Sequence, residues 1–292
     1  MSVLTQEQKD HFLKRGYVVL HDCFPREMAL EQVGRVFTRM GYDPGDAGTW
    51  TQKWVPMPIH ERYEVADVAP RAWAAICEIM GGEERIRKPH IWHDGFIANF
   101  GVGADEPWRA PSADVRGWHV DGDFFRHFLD SPEQGLLTII VWSDIDHKGG
   151  GTFVAEDSVP LIARYLAAHP EGLRPGEIPY AQIARECTQF MELTGKIGDV
   201  VLLHPFILHT VSQNHSGKVR LILNPPVQLA EPMRFDRPDG RYSLVERAIL
   251  DALGVDHYDF RPTAPREDIE PERVRRQREA LEKEKERLAA AR

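Results

Sequence analysis

A chain of 292 residues that is 42 % hydrophobic can bury a substantial core, as one large domain or two small ones. Its net charge of −9 and pI near 5.8 argue against a general nucleic-acid surface, which needs clustered Lys and Arg. The uninterrupted apolar runs are far shorter than the roughly 20 residues a membrane-spanning helix needs, so neither nucleic acid nor a membrane is an expected partner.

Along the chain, Thr5 ahead of Glu7-Gln8 and Phe12 marks a helix start, and Gly16 marks its stop. Tyr17-Val18-Val19-Leu20 then reads as a strand. Residues 25–41 carry Met28, Leu30, Val33, Val36, Phe37 and Met40 at mixed three- and four-residue spacings, which predicts an amphipathic helix. Residues 67–80 repeat the pattern more weakly. From about 90 onward the period changes. Short apolar runs at 96–100, 136–142, 188–193, 199–203 and 219–227 are separated by Gly, Pro, Asp and Asn, as in an all-β sandwich or barrel. One helix interrupts them at about 158–168, with Asp157 or Ser158 as cap and Pro160 in its first turn. The expected fold is mainly β with flanking helices: a double-stranded β-helix, or jelly roll, at about 90–228 inside a single domain of residues 1–265.

Residues 266–292 differ from the rest. They hold nine Lys/Arg and eight Asp/Glu, with Val274, Leu281 and Leu288 spaced by seven. One apolar row is thin for a coiled coil, so the expectation is a charged helix docked on the body, with homo-oligomer contact as the alternative. Cys23, Cys77 and Cys187 are far apart and odd in number, which suits neither a disulfide framework nor a CxxC zinc site. The N-terminus lacks the apolar stretch of a secretory signal, and a cytoplasmic location is expected.

The informative segment is Trp118-His119-Val120-Asp121. Residues i and i+2 of an extended chain point to one side, so an imidazole and a carboxylate placed this way can grip one cation. The pattern alone is weak, because the chain holds a second copy, His257-Tyr258-Asp259, outside any strand pattern. What distinguishes the first copy is the segment ninety residues on. There the Gly198-Asp199 turn leads into a strand, followed by His204 and His209, with Arg220 eleven residues beyond the latter. His204 and His209 are five apart, so on a strand they face opposite ways and only one can be a ligand. Two His and one carboxylate with open positions form the facial triad of non-haem Fe(II) oxygenases, and a buried Arg nearby would be a bidentate partner for a dicarboxylate.

The chain resembles the phytanoyl-CoA dioxygenase-like family of Fe(II)/2-oxoglutarate oxygenases. The resemblance runs from TQEQKDHFLKRGYVVL to about residue 227 and includes the His-x-Asp pair, the Ile-Val-Trp142-Ser strand, the turn Gly149-Gly-Gly-Thr152, the distal His and the Arg. By position it implies iron ligands His119, Asp121 and His209, with Arg220 on the far carboxylate of 2-oxoglutarate. It further implies Trp142 lining that pocket and Thr152 and Asn99 as polar co-substrate contacts. The chain departs from the family where Pro-Gly-Ser-His often follows the Gly-rich strand. Here it reads Glu156-Asp157-Ser158-Val159, so the substrate-side loop is its own.

The resemblance implies Fe(II), 2-oxoglutarate and O2 as cofactor and co-substrates, with succinate and CO2 as co-products and a small hydrophobic metabolite or biosynthetic intermediate as substrate. Hydroxylation of a C–H is the expected outcome. Desaturation, cyclisation or epimerisation would use the same machinery, and the carboxylate at Asp121 disfavours halogenation. Asp123, Phe124, Phe125, Arg126 and His127 are further candidates to reach the substrate, and Trp50, Trp54 and Trp92 hint at an aromatic pocket. His90 and His93 are read as structural. The rival readings are a cupin-like metalloenzyme that does not use 2-oxoglutarate and a non-catalytic jelly-roll binding protein.

Overall fold

Helix boundaries follow local chemistry. In the computed structural model, which describes residues 2–290, α1 (Gln6–Arg15) begins at a capping box: the Thr5 hydroxyl accepts from Gln8 N–H and the Gln8 side chain accepts from Thr5 N–H. It ends at Gly16, whose φ of 80° is open to glycine at no steric cost. Then follow β1 (Tyr17–Leu20), α2 (Arg26–Met40), β2 (Trp54–Pro56), β3 (Arg62–Glu64), α3 (Val65–Val68) and α4 (Pro70–Met80). The strand-rich part holds β4 (Ile91–His93), β5 (Ile97–Asn99), β6 (Leu136–Val141) and β7 (Thr152–Ala155). After α5 (Val159–Ala167) and α6 (Tyr180–Glu186) come β8 (Phe190–Leu193), β9 (Val200–Leu203), β10 (Leu208–Val211), β11 (Arg220–Leu223) and β12 (Pro226–Val227). Two more helices, α7 (Leu244–Leu253) and α8 (Glu272–Ala290), complete the chain.

The larger sheet runs β1-β9-β6-β11-β5-β2, with β12 also on β6, and the smaller runs β10-β7-β8; every pairing is antiparallel. The two sheets face each other as a jelly roll. Two strands N-terminal to residue 90, β1 and β2, therefore join the larger sheet. Strand β6 is buried along its whole length, because one face meets the smaller sheet while the other is covered. Its alternation divides two environments. Leu137 and Ile139 face the space between the sheets, whereas Trp142 falls on the opposite side, with ring centroids 4.8 Å from Phe24 and 5.1 Å from Phe96.

At the head of α5, Ser158 is the N-cap residue but makes no side-chain cap. Its hydroxyl donates to Ala155 O at 2.7 Å and accepts from Leu208 N–H at 2.8 Å. It thus ties the end of β7 to the start of β10, one residue before His209. No described helix is long and apolar enough to cross a membrane.

Helix α8 lies on the body. Val274, Leu281 and Leu288 are half-buried, and Glu284 is buried between Arg39 of α2 (2.7 Å) and His60 (3.3 Å). Arg39 also bonds Asp94 and the Pro58 carbonyl, so one buried guanidinium joins α2, the segment before β5, and the C-terminal helix.

Candidate metal centre

His119 and His209 form an isolated antiparallel bridge at the open edge of β10: His119 N–H donates to His209 O at 3.1 Å, and His209 N–H donates to His119 O at 2.9 Å. The backbone thereby sets the two imidazoles side by side, with centroids 4.4 Å apart. Asp121 lies two residues on from His119, on the same side. Its Oδ1 is 3.4 Å from His119 Nε2 and 3.3 Å from His209 Nε2, and one ligand atom from each of the three residues lies within 4.8 Å of the others. Among the described residues no other group of three or more such side chains converges this way.

The donor set suits a metal. His119 Nδ1 is 2.7 Å from Gly117 O and His209 Nδ1 is 3.1 Å from Ile207 O. A carbonyl can only accept, so each Nδ1 carries a proton and each Nε2 is the ring atom left facing Asp121, the one available to a metal. The other Asp121 oxygen accepts from Asn224 Nδ2 at 2.9 Å. Burial would push the Asp121 carboxyl up, but His209 and His119 override it and hold the group well below the usual carboxylate range. It is the anion of the site.

A cavity of about 310 Å³ opens between the sheets on one side of the three residues. His119, Asp121, His209 and Asn224 border it, apolar Ile97, Leu137, Ile139 and Ile222 form much of its wall, and Arg220 and Thr152 add polar groups. Arg220 is 2 % exposed. Its Nε donates to Gly150 O at 2.8 Å, one Nη donates to Ile97 O at 3.2 Å, and Trp54 lies over the guanidinium at 5.3 Å. Neither Asp199 nor Asp146 pairs with it: Asp199 takes His21 and the Lys196 N–H, and Asp146 takes the Lys196 ammonium. Burial without a carboxylate partner pushes the Arg220 guanidinium down to about 9.

Trp142 does not line this cavity. Strand alternation turns it away from Leu137 and Ile139 into the aromatic core, where it is fully buried. Asn99 is likewise absent from the wall. Its Oδ1 accepts from the Gly101 and Val102 N–H groups, closing the turn after β5, while its buried Nδ2 has no partner. His204 is a packed core residue: its Nδ1 accepts from Phe206 N–H, and burial pushes it down to about 3. Trp50 and Trp92 are core as well, and only Trp54 reaches the site. The second His-x-Asp stays apart, with Asp259 paired to Arg261.

A second cavity, of about 450 Å³, is bordered by His119, Asp121 and Asn224 but not by His209. Asp123 and Phe124 line it. Phe125 and His127 are buried beneath, and Arg126 pairs with Glu267. Its remaining walls bring in residues that spacing did not flag as functional, namely His93, Gln134, Asn224 and, from α8, Arg273 and Gln277.

No protein-family profile matches the chain and no curated sequence matches it. Solved structures are similar in fold. The non-heme alpha ketoglutarate dependent carbocyclase SnoK from nogalamycin biosynthesis is 15 % identical with a TM-score of 0.48, over 80 % of this chain and 88 % of that one. EctD from S. alaskensis is 17 % identical with a TM-score of 0.42, over 76 % and 75 %. GlcNAc Inducible Gene 2, GIG2 (DUF1479), from Candida albicans is 11 % identical with a TM-score of 0.46 over 77 % of this chain, which spans 64 % of that protein's length. At such values the likeness carries no reading of function, which rests on the site's own residues.

Proposed function

We propose that this protein is an Fe(II)- and 2-oxoglutarate-dependent oxygenase acting on a C–H bond of a small molecule. The observation that carries the reading is the buried, unpaired guanidinium of Arg220 in a cavity bordered by His119, Asp121 and His209. A buried cation without a counter-ion costs several kcal/mol. A ligand with one carboxylate for Arg220 and a second chelating end for a metal on the triad answers both ends of that cavity, and 2-oxoglutarate is such a ligand.

His119, Asp121 and His209 would hold the ferrous ion through two Nε2 lone pairs and one carboxylate oxygen, leaving it open to a chelating co-substrate. Iron bound there would supply the chemistry of O2 activation coupled to oxidative decarboxylation of 2-oxoglutarate to succinate and CO2. The protein's part is positional. Gly117 O and Ile207 O fix the imidazole tautomers, Asn224 holds the carboxylate's orientation, and Ile97, Leu137, Ile139 and Ile222 exclude water around the co-substrate. Arg220 anchors the remote carboxylate, and Thr152 adds a hydroxyl.

The test is Fe(II)- and O2-dependent succinate formation by the full chain. Truncating one partner of a buried charge pair costs roughly 2–5 kcal/mol, so Arg220→Ala should raise the KM for 2-oxoglutarate at least about 30-fold. Iron binding without any 2-oxoglutarate turnover would favour a jelly-roll metalloenzyme of another kind.

A further inference from the structure

We propose that the 450 Å³ cavity takes an uncharged, hydrogen-bonding substrate, a small hydroxyl- or amide-bearing molecule, and that Gln134, His93 and Gln277 are the residues that read it. The inference rests on the oxygenase reading only for naming this cavity the substrate's.

The charges lining this cavity are already matched. Asp121 belongs to the metal site, and Arg273 grips Asp123 with two bonds of 2.6 and 2.7 Å. That leaves no free cation for a phosphate or carboxylate and no free anion for an ammonium, and an ion desolvated here without a partner would bind poorly. The Arg220 side differs in kind, since it offers one unpaired charge among apolar walls.

Three neutral polar groups remain unmatched. Gln134 is only 3 % exposed, lines the cavity, and its side chain makes no hydrogen bond to a described residue. A buried amide of this kind calls for a partner in the cavity. His93 accepts from Gly95 N–H at Nδ1 (3.1 Å), so its Nε2 carries the proton and is a spare donor. Burial pushes His93 down to about 4, which keeps the ring neutral at pH 7. Gln277 also has no described partner and comes from α8, one turn after Arg273. The buried Glu284–Arg39 pair fastens that helix to the body. The C-terminal helix therefore completes the cavity, far outside the jelly-roll strands. Amides that both donate and accept, beside a donor imidazole, match hydroxyl and carboxamide groups.

The test uses the full chain loaded with redox-inert zinc and without 2-oxoglutarate, so Asp121 keeps a metal partner and binding is read independently of turnover. Saturation-transfer NMR would measure binding of two sets of probes on one ring skeleton. The uncharged set is cyclohexane diols and cyclohexanecarboxamide, and the charged set is cyclohexanecarboxylate, cyclohexyl phosphate and cyclohexylamine. The expected result is that the uncharged set binds at least about tenfold more tightly. Gln134→Leu and Gln277→Leu should each weaken it about tenfold, the worth of one hydrogen bond. Gln134→Glu, nearly isosteric, should shift preference toward cyclohexylamine. Equal binding by charged probes, no saturable binding by any uncharged probe, or unchanged affinity in both leucine variants would overturn the proposal. Loss of 2-oxoglutarate turnover in a separate assay would instead strike the oxygenase reading.

Discussion

Asn224 does for Asp121 what two backbone carbonyls do for the histidines: it fixes which lone pairs point inward. Its amide occupies one carboxylate oxygen and leaves the other facing both Nε2 atoms. Partners of this kind typically contribute roughly 10–100-fold in metal affinity, so Asn224→Ala should lower Fe(II) affinity by that factor in a chelator competition, with the fold retained. Unchanged affinity would mean the carboxylate is oriented without it. Trp142 offers the opposite test. Because it packs on Phe24 and Phe96 away from the cavity, Trp142→Phe should cost about 1–2 kcal/mol in denaturant unfolding while leaving the KM for 2-oxoglutarate unchanged. A raised KM would return it to the pocket.

At the scale of elements, strand periodicity explains what could be read in advance. His119 and Asp121 were legible because a two-residue spacing puts both on one side of an extended segment. The same rule, continued from Arg220 through Ile222, reaches Asn224, and all three border one cavity. That spacing lies inside the 219–227 run, where a lone Asn carries no metal-ligand signal of its own. The rule also turns Trp142 outward once Ile139 is known to face inward, but the inward parity of β6 depends on its neighbours β9 and β11, pairings made by distant parts of the chain. Helix α8 was legible as a docked charged helix. That it brings Gln277 and Arg273 to a cavity was not, because this depends on contacts between residues far apart in the chain, such as the buried pair of Arg39 and Glu284, 245 positions apart. Breaking that contact should loosen the helix selectively. Glu284→Ala leaves Arg39 its Asp94 and Pro58 partners, so local opening should ease by about 1–3 kcal/mol. Trypsin should then cut within residues 273–287 roughly 10–100-fold faster, with the jelly roll still folded; an unchanged cleavage rate would show that other contacts hold α8.

Across the whole molecule, burial leaves several histidines neutral. Desolvation pushes His204 down to about 3 and His90 and His127 to about 4, against roughly 6.5 in an unfolded chain. Between those values the unfolded chain binds more protons than the folded one, so this stability is fully present above about pH 6.5 and drains away as pH falls toward 4, at up to about 1.4 kcal/mol per pH unit for each group. Asp130 and Glu133, whose carboxyls burial pushes up, act in the opposite direction. The urea midpoint should therefore be lower at pH 5 than at pH 7.5, and a flat profile would show that these rings find solvent or partners in the folded state.

The jelly roll sets one candidate metal site beside two cavities of unlike chemistry, and the proposed function depends on a dicarboxylate spanning the gap between a metal held there and Arg220. Anaerobic calorimetry of 2-oxoglutarate binding to the Fe(II)-loaded chain tests this most directly. The expected result is one equivalent bound by the wild type, binding at least about 30-fold weaker in Arg220→Ala, and none in a His209→Ala chain that has lost its iron. Iron-loaded protein that takes up no 2-oxoglutarate, or that takes it up equally well without Arg220, would contradict it.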